Sequence, residues 1–236
     1  MAPPPPRTIS LCLFLLLAMA AASATQATAA EAAAPCSTTK TESTSSSSFL
    51  RARCATTRYP DVCYDSLLPY ASTFQTSHVK LAVAAADVAA AHLRAFSARV
   101  KDMLLHRGGG SEEAAASSGG GAARVDAVLH DCASTISAAA NLAKRSSAEL
   151  TRLDADTAAS TETSTSGGSR QARWQLSNAK TWLSAAMTNE GTCSDGFEDA
   201  GAAATASPAG KEVAAGVASV TQHTSNALAL VNGIPL

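Results

Sequence analysis

The feature that most constrains this chain is the spacing of its apolar residues, which recur in steps of three and four over four long stretches and read as a strand in none. The first stretch carries Val83, Ala86, Ala90, Leu93, Val100 and Leu104, with Ser97 filling one place. The second has Val125, Val128, Cys132, Ile136 and Ala139, and the third Leu176, Ala179, Leu183, Ala186 and Cys193. Val213, Val217, Val220, Ala227 and Val231 make the fourth. Such stripes predict helices packed side by side at shallow angles. Alanine supplies 54 of the 236 residues and aromatics only 4%, a composition that favours helix over strand. The expected class is all-α, an up-down-up-down four-helix bundle. Local signals agree: Ser77 can cap the first helix and His106, Arg107 and Gly108 suit its end, while Ser207-Pro208 open the fourth and Asn232-Gly233 close it.

The ends carry different signals. Arg7, an apolar run from Ile9 to Ala22 and the small-residue site Ala22-Ser23-Ala24 predict a cleaved signal peptide over residues 1–24. That run is shorter than the roughly twenty residues a bilayer-spanning helix needs, so no membrane association is expected after cleavage. The last residues, Asn232 to Leu236, hold neither a retention signal nor a long apolar tail. Residues 25–48, rich in Ala, Thr and Ser, are expected to form a disordered leader. Residues 49–236 are the folded domain, with a small helical hairpin over 49–70, broken at Tyr59-Pro60, ahead of a bundle over 77–236. Gly108 to Gly121 and Thr157 to Ser169 read as loops.

Of six cysteines, Cys12 leaves with the signal and Cys36 falls in the leader, where it is free, paired between chains or removed by further processing. The other four allow three pairings. Cys54 and Cys63 lie symmetrically about Arg58-Tyr59, and the midpoint between Cys132 and Cys193 falls inside the second loop. Residues equidistant from the turn of an antiparallel helix pair sit at one level, which predicts two disulfides, Cys54 to Cys63 and Cys132 to Cys193. Covalent ties of this kind offset a core lined with small side chains.

Eighteen basic residues against 19 acidic ones leave a net charge of −1, which argues against a polyanion-binding surface and against nucleic acid as a partner. None of the five histidines, at 78, 92, 106, 130 and 223, pairs with another at i, i+4, so no metal site is expected. G-x-S-x-G, Walker and dinucleotide motifs are absent from the sequence, so no cofactor is expected, and no nucleophile, base and orienter come together to suggest an enzyme. His130, Asp131, Ser134, Ser137 and Asn141 form a polar side on the second helix, and Lys80, Asp87, His92 and Arg94 a polar sector on the first. Each is either a solvated face or a binding face. Trp174 and Trp182 are expected as packing anchors.

Four blocks in order carry a resemblance. They are Cys54 to Leu67 with Thr57, Tyr59-Pro60 and Cys63; Ala127 to Cys132; Thr181 to Phe197, including Asn189-Glu190-Gly191-Thr192-Cys193; and Ser225 to Leu230. Together they resemble the plant invertase and pectin methylesterase inhibitor family over essentially the whole mature domain. The resemblance implies an extracellular four-helix bundle behind a helical hairpin, the same two disulfides, no catalysis, and stoichiometric, reversible binding to a cell-wall carbohydrate-active enzyme. Members acting on invertase resemble one another in a Pro-Lys-Phe motif; here that place holds Ser117 to Ala123 without proline, lysine or aromatic. The resemblance therefore favours pectin methylesterase as the partner, with invertase as the alternative, and the apoplast and cell wall as the location. Asp87, His130, Asp131, Ser134, Ser137 and Asn141 are the candidate partner-binding residues. After Cys132 the run Ala133 to Ser137 departs from the family's acidic-rich surface, consistent with a weaker or narrower inhibitor. A secreted structural or lipid-carrying helical protein is the rival of another class.

Overall fold

The computed structural model describes residues 38–108, 120–159 and 166–235. The signal peptide, the leader as far as residue 37 with Cys36, and the loop centres at 109–119 and 160–165 lie outside the described residues. The elements in order are α1 (Thr38–Cys54), α2 (Pro60–Leu67), a 3-10 turn (Leu68–Tyr70), α3 (Ala71–Phe74), α4 (His78–Gly108), α5 (Gly121–Ala159), α6 (Ser166–Asp199), α7 (Ala202–Ala206) and α8 (Pro208–Asn232). The described residues contain no strand, and the chain is an all-α bundle.

The long helices begin and end on their local signals. The Lys80 N–H donates to Ser77 Oγ at 3.3 Å in the first turn of α4. At α8 the Gly210 N–H donates to Ser207 Oγ at 3.0 Å, and Pro208 occupies the first turn, where its missing N–H costs nothing. The Gly233 N–H closes α8 onto the carbonyls of Ala229 and Leu230.

Helices α4, α5, α6 and α8 pack in a ring, α4 on α5, α5 on α6, α6 on α8 and α8 on α4. Contacts between neighbours run in opposite senses along the two helices, as antiparallel packing requires. Between α4 and α5 they join Arg107 to Asp126, Ser97 to Ala133 and Asp87 to Lys144. Between α5 and α6 they join Cys132 to Cys193, Ser146 to Ala179 and Asp156 to Gln175. The core alternates fully buried Leu93, Leu129, Ile136, Leu150 and Leu183 with Ala86, Ala90, Ala139, Ala143, Ala179, Ala186 and Ala227. Small residues let the helix axes approach, and at two crossings a buried serine uses that proximity. Ser97 Oγ donates to the Ala133 carbonyl at 3.4 Å, and Ser146 Oγ to the Ala179 carbonyl at 3.0 Å. Helix α4 is long and apolar enough to cross a membrane, yet half of its most apolar window is buried within the bundle.

The disulfide Cys54–Cys63, with Cα atoms 5.6 Å apart, closes the turn between α1 and α2. Two further ties fasten this hairpin to the far end of the chain. Arg53 Nη2 donates to the Gly233 carbonyl at 2.7 Å. The buried Asn226 side chain accepts from the Tyr59 N–H at 3.2 Å and donates to the Tyr59 carbonyl at 2.9 Å.

Three sequence expectations are corrected. Helix α1 starts at Thr38, so residues 38–48 are helical rather than a disordered leader. The Ser47 and Ser48 hydroxyls donate to the carbonyls of Thr44 and Ser45 within the helix, and Ser46 and Leu50 are buried, so tertiary docking outweighs the poor helix propensity of a serine run. Likewise α5 extends to Ala159 and α6 starts at Ser166, both inside the stretch expected as loop. Trp174 is 56% exposed and anchors no core.

Among the described residues one carboxyl group is fully buried. Glu190 on α6 accepts from Thr221 Oγ1 at 2.8 Å and from Thr224 Oγ1 at 2.7 Å across the contact with α8. Burial raises its pKa above the ordinary carboxylate value, and the two hydroxyl donors oppose that rise only in part. The folded state therefore holds the proton to higher pH than the unfolded state, so stability falls as pH rises through the raised value. His223 acts in the opposite sense. Burial, then the charge of His92, whose ring stacks on it at 3.7 Å, depress its pKa from 6.5 to about 4, so stability falls as pH drops from 6.5 through about 4. Thermal melts across pH should show Glu190→Gln flattening the decline that sets in as pH rises above the ordinary carboxylate value and His223→Gln the decline toward acid. Unchanged slopes in both variants would contradict this account.

Candidate functional site

On α5, His130, Ser134, Ser137 and Asn141 stand at i, i+4, i+7 and i+11, which places them on one face. The structure sets this face against the C-terminal part of α4 to form a groove of about 750 Å³, lined also by Ala133 and Ala138 and, from α4, by Lys101, Leu104 and Leu105. Among the described residues, none of the four α5 side chains makes a hydrogen bond or ion pair, so their polar atoms are free for a partner. Leu105 is 75% exposed.

The groove is held stiff from behind and at both ends. Cys132, between His130 and Ser134, is bonded to Cys193 of α6 with Cα atoms 4.4 Å apart, which pins the α5 backbone under the site. Cross-helix ion pairs Arg107–Asp126 and Lys144–Asp87, the latter at 3.0 Å, join α4 to α5 on either side.

Of the six candidate residues, four are therefore brought together and two are not. Asp87 is paired with Lys144 and lines a separate cavity of about 310 Å³ with Tyr70, Lys80, Val83 and Asp154. Asp131 is exposed one position round α5, outside the groove lining. Sequence reasoning missed the α4 wall. The available signal was Leu105, an apolar residue beside Leu104 and out of step with the apolar rhythm of α4. Among the described residues no three His, Cys, Asp or Glu side chains gather into a metal-binding group. Uncommitted hydroxyl, amide and imidazole groups beside an exposed leucine on a rigid backbone suit protein docking: an apolar centre rimmed by polar atoms.

The sequence profile described as plant invertase/pectin methylesterase inhibitor matches residues 48–230. The chain belongs to this family. As a member of the plant invertase/pectin methylesterase inhibitor family it is a non-enzymatic inhibitor. Among its relatives, a "21 kDa protein" of Daucus carota is 31% identical over 184 residues, covering 78% of this chain and 82% of the relative. Pectinesterase inhibitor 11 of Arabidopsis thaliana is 32% identical over 193 residues, covering 78% and 79%. Pectinesterase inhibitor 10 of the same plant is 32% identical over 186 residues, covering 78% of this chain and 50% of the relative. No solved structure matches the chain.

Proposed function

We propose that this family member is a secreted inhibitor of pectin methylesterase. It binds the enzyme one to one through the α4–α5 groove face and excludes pectin from the enzyme's cleft by occupancy. Cleavage of the signal peptide at residues 1–24 delivers the domain to the apoplast. The observation that carries the docking site is the row His130, Ser134, Ser137 and Asn141, free of internal partners and facing exposed Leu105 across a disulfide-backed groove. The relatives named pectinesterase inhibitors support the choice of enzyme. A pre-organised face loses little conformational freedom on docking, which lets a modest polar interface bind usefully.

The purified mature chain should inhibit pectin methylesterase at equimolar ratio and leave invertase active in a parallel assay. Inhibition of invertase alone would reverse the assignment. Leu105→Asp should weaken inhibition by about thirtyfold, the size of an interface hot spot of about 2 kcal/mol. It should leave the melting temperature unchanged, since the side chain is exposed. Undiminished inhibition by this variant would move the docking surface off the groove.

A further inference from the structure

On the side of the bundle where α6 packs against the C-terminal half of α5 lies a second strip, exposed at Gln171 and Trp174 and half-buried at Asn178 and Trp182. At 100° per residue, Gln171, Trp174, Asn178 and Trp182 of α6 fall within a sector of about 80°, and Arg170 borders it. From α5, Arg145 lays its guanidinium over the Trp182 ring at 3.7 Å. From residue 170 to residue 182 the strip thus reads guanidinium, amide, indole, amide, indole, guanidinium over a rise of about 18 Å.

Three observations point to a ligand. Trp174 is 56% exposed, so its indole is not placed there to pack the core. Neither Arg145 nor Arg170 has a carboxylate partner among the described residues, and Glu149, one turn along α5 from Arg145, is taken by Arg152 at 2.9 Å. Stacking also fixes the plane of the Arg145 guanidinium while leaving its N–H edge free to grip a carboxylate in two places.

We propose that this strip binds an acidic polysaccharide of the polyuronate class. A pyranose ring lies on the exposed face of Trp174, ring carboxylates meet Arg170 and Arg145, the latter held in place by Trp182, and hydroxyls meet Gln171 and Asn178. Indoles and amides between only two cations suit a ligand whose charge is spaced along a sugar body, rather than a densely charged phosphate or sulfate chain. The choice of a uronate chain among polyanions rests on the pectin-related function proposed above; the strip itself lies apart from the groove. The net charge of −1, which argues against a polyanion-binding surface, is an average over the whole chain and does not report where Arg145 and Arg170 stand.

Affinity gel electrophoresis of the mature chain tests this. Gels cast with polygalacturonate should retard it; gels with the fully methyl-esterified polymer or a neutral galactan should not, because the carboxylates are blocked or missing. Trp174→Ala and Arg170→Gln should each weaken retention by about tenfold with unchanged melting temperature and unchanged inhibition of pectin methylesterase. Free passage of the wild type through polygalacturonate, retention of Trp174→Ala equal to wild type, or stronger retention by heparin than by polygalacturonate would each overturn the assignment. A chain that inhibits no methylesterase yet shows the tryptophan-dependent retention would sink the proposed function and leave this one standing.

Discussion

Replacing Cys132 and Cys193 together by serine should lower the free energy of unfolding by about 4 kcal/mol, read from the midpoint of a denaturant titration at constant slope. The bond closes a sequence separation of 61 residues, and in the chain-entropy account a loop of that size costs the unfolded state much of its freedom. The same account assigns about 2.5 kcal/mol to Cys54–Cys63, whose separation is nine. The order of the two effects is therefore as much a prediction as their size. The larger one threatens function because the bond lies directly beneath the groove, so a variant that still folds in the cold should inhibit less well on warming. Equal losses from the two double substitutions, or a loss under 1 kcal/mol for the long loop, would contradict it.

The second large effect arises where helices meet without room for a methyl group. Gly210, in the first turn of α8, faces the carbonyl oxygens of Ala204 and Thr205, and a Cβ built there would overlap both. These obstacles are backbone atoms of α7, which cannot swing aside as a side chain can. Gly210→Ala should cost about 3 kcal/mol, at the upper end of over-packing penalties. Gly191, inside α6, is the matched control, since a Cβ there meets nothing within 4 Å. Gly191→Ala should raise stability by about 1 kcal/mol, the ordinary gain of alanine over glycine inside a helix. Paired thermal melts would show opposite shifts; a neutral Gly210→Ala would mean that α7 yields easily.

Those two sites mark where the sequence is informative and where it is silent. The four bundle helices are legible because their apolar positions are periodic and their ends are chemically marked, as at Ser77 and Ser207, which accept from Lys80 and Gly210. The cysteine pairing needs only the position of a turn. What escapes is whatever depends on a neighbour far along the chain. The serine run before Phe49 is helical because Ser46 and Leu50 find a surface to be buried against. Trp174 is outside because its position on α6 faces solvent rather than the core, which hydrophobicity alone does not reveal. Half of the candidate groove is visible on α5 as His130, Ser134, Ser137 and Asn141. Its other half, Lys101, Leu104 and Leu105, comes from α4 and is set by the register between two helices. Glu190 likewise reads as an ordinary surface residue until α8 supplies Thr221 and Thr224.

The clasp between the first hairpin and the end of α8 has a consequence for how the molecule opens. Arg53 and Gly233 are joined across 180 residues of sequence, and Asn226 holds both backbone groups of Tyr59. The start and finish of the domain therefore form one cooperative unit. In native-state hydrogen exchange, amides of α2 and of the last turns of α8 should share a common opening energy and lose protection together when Asn226 is replaced.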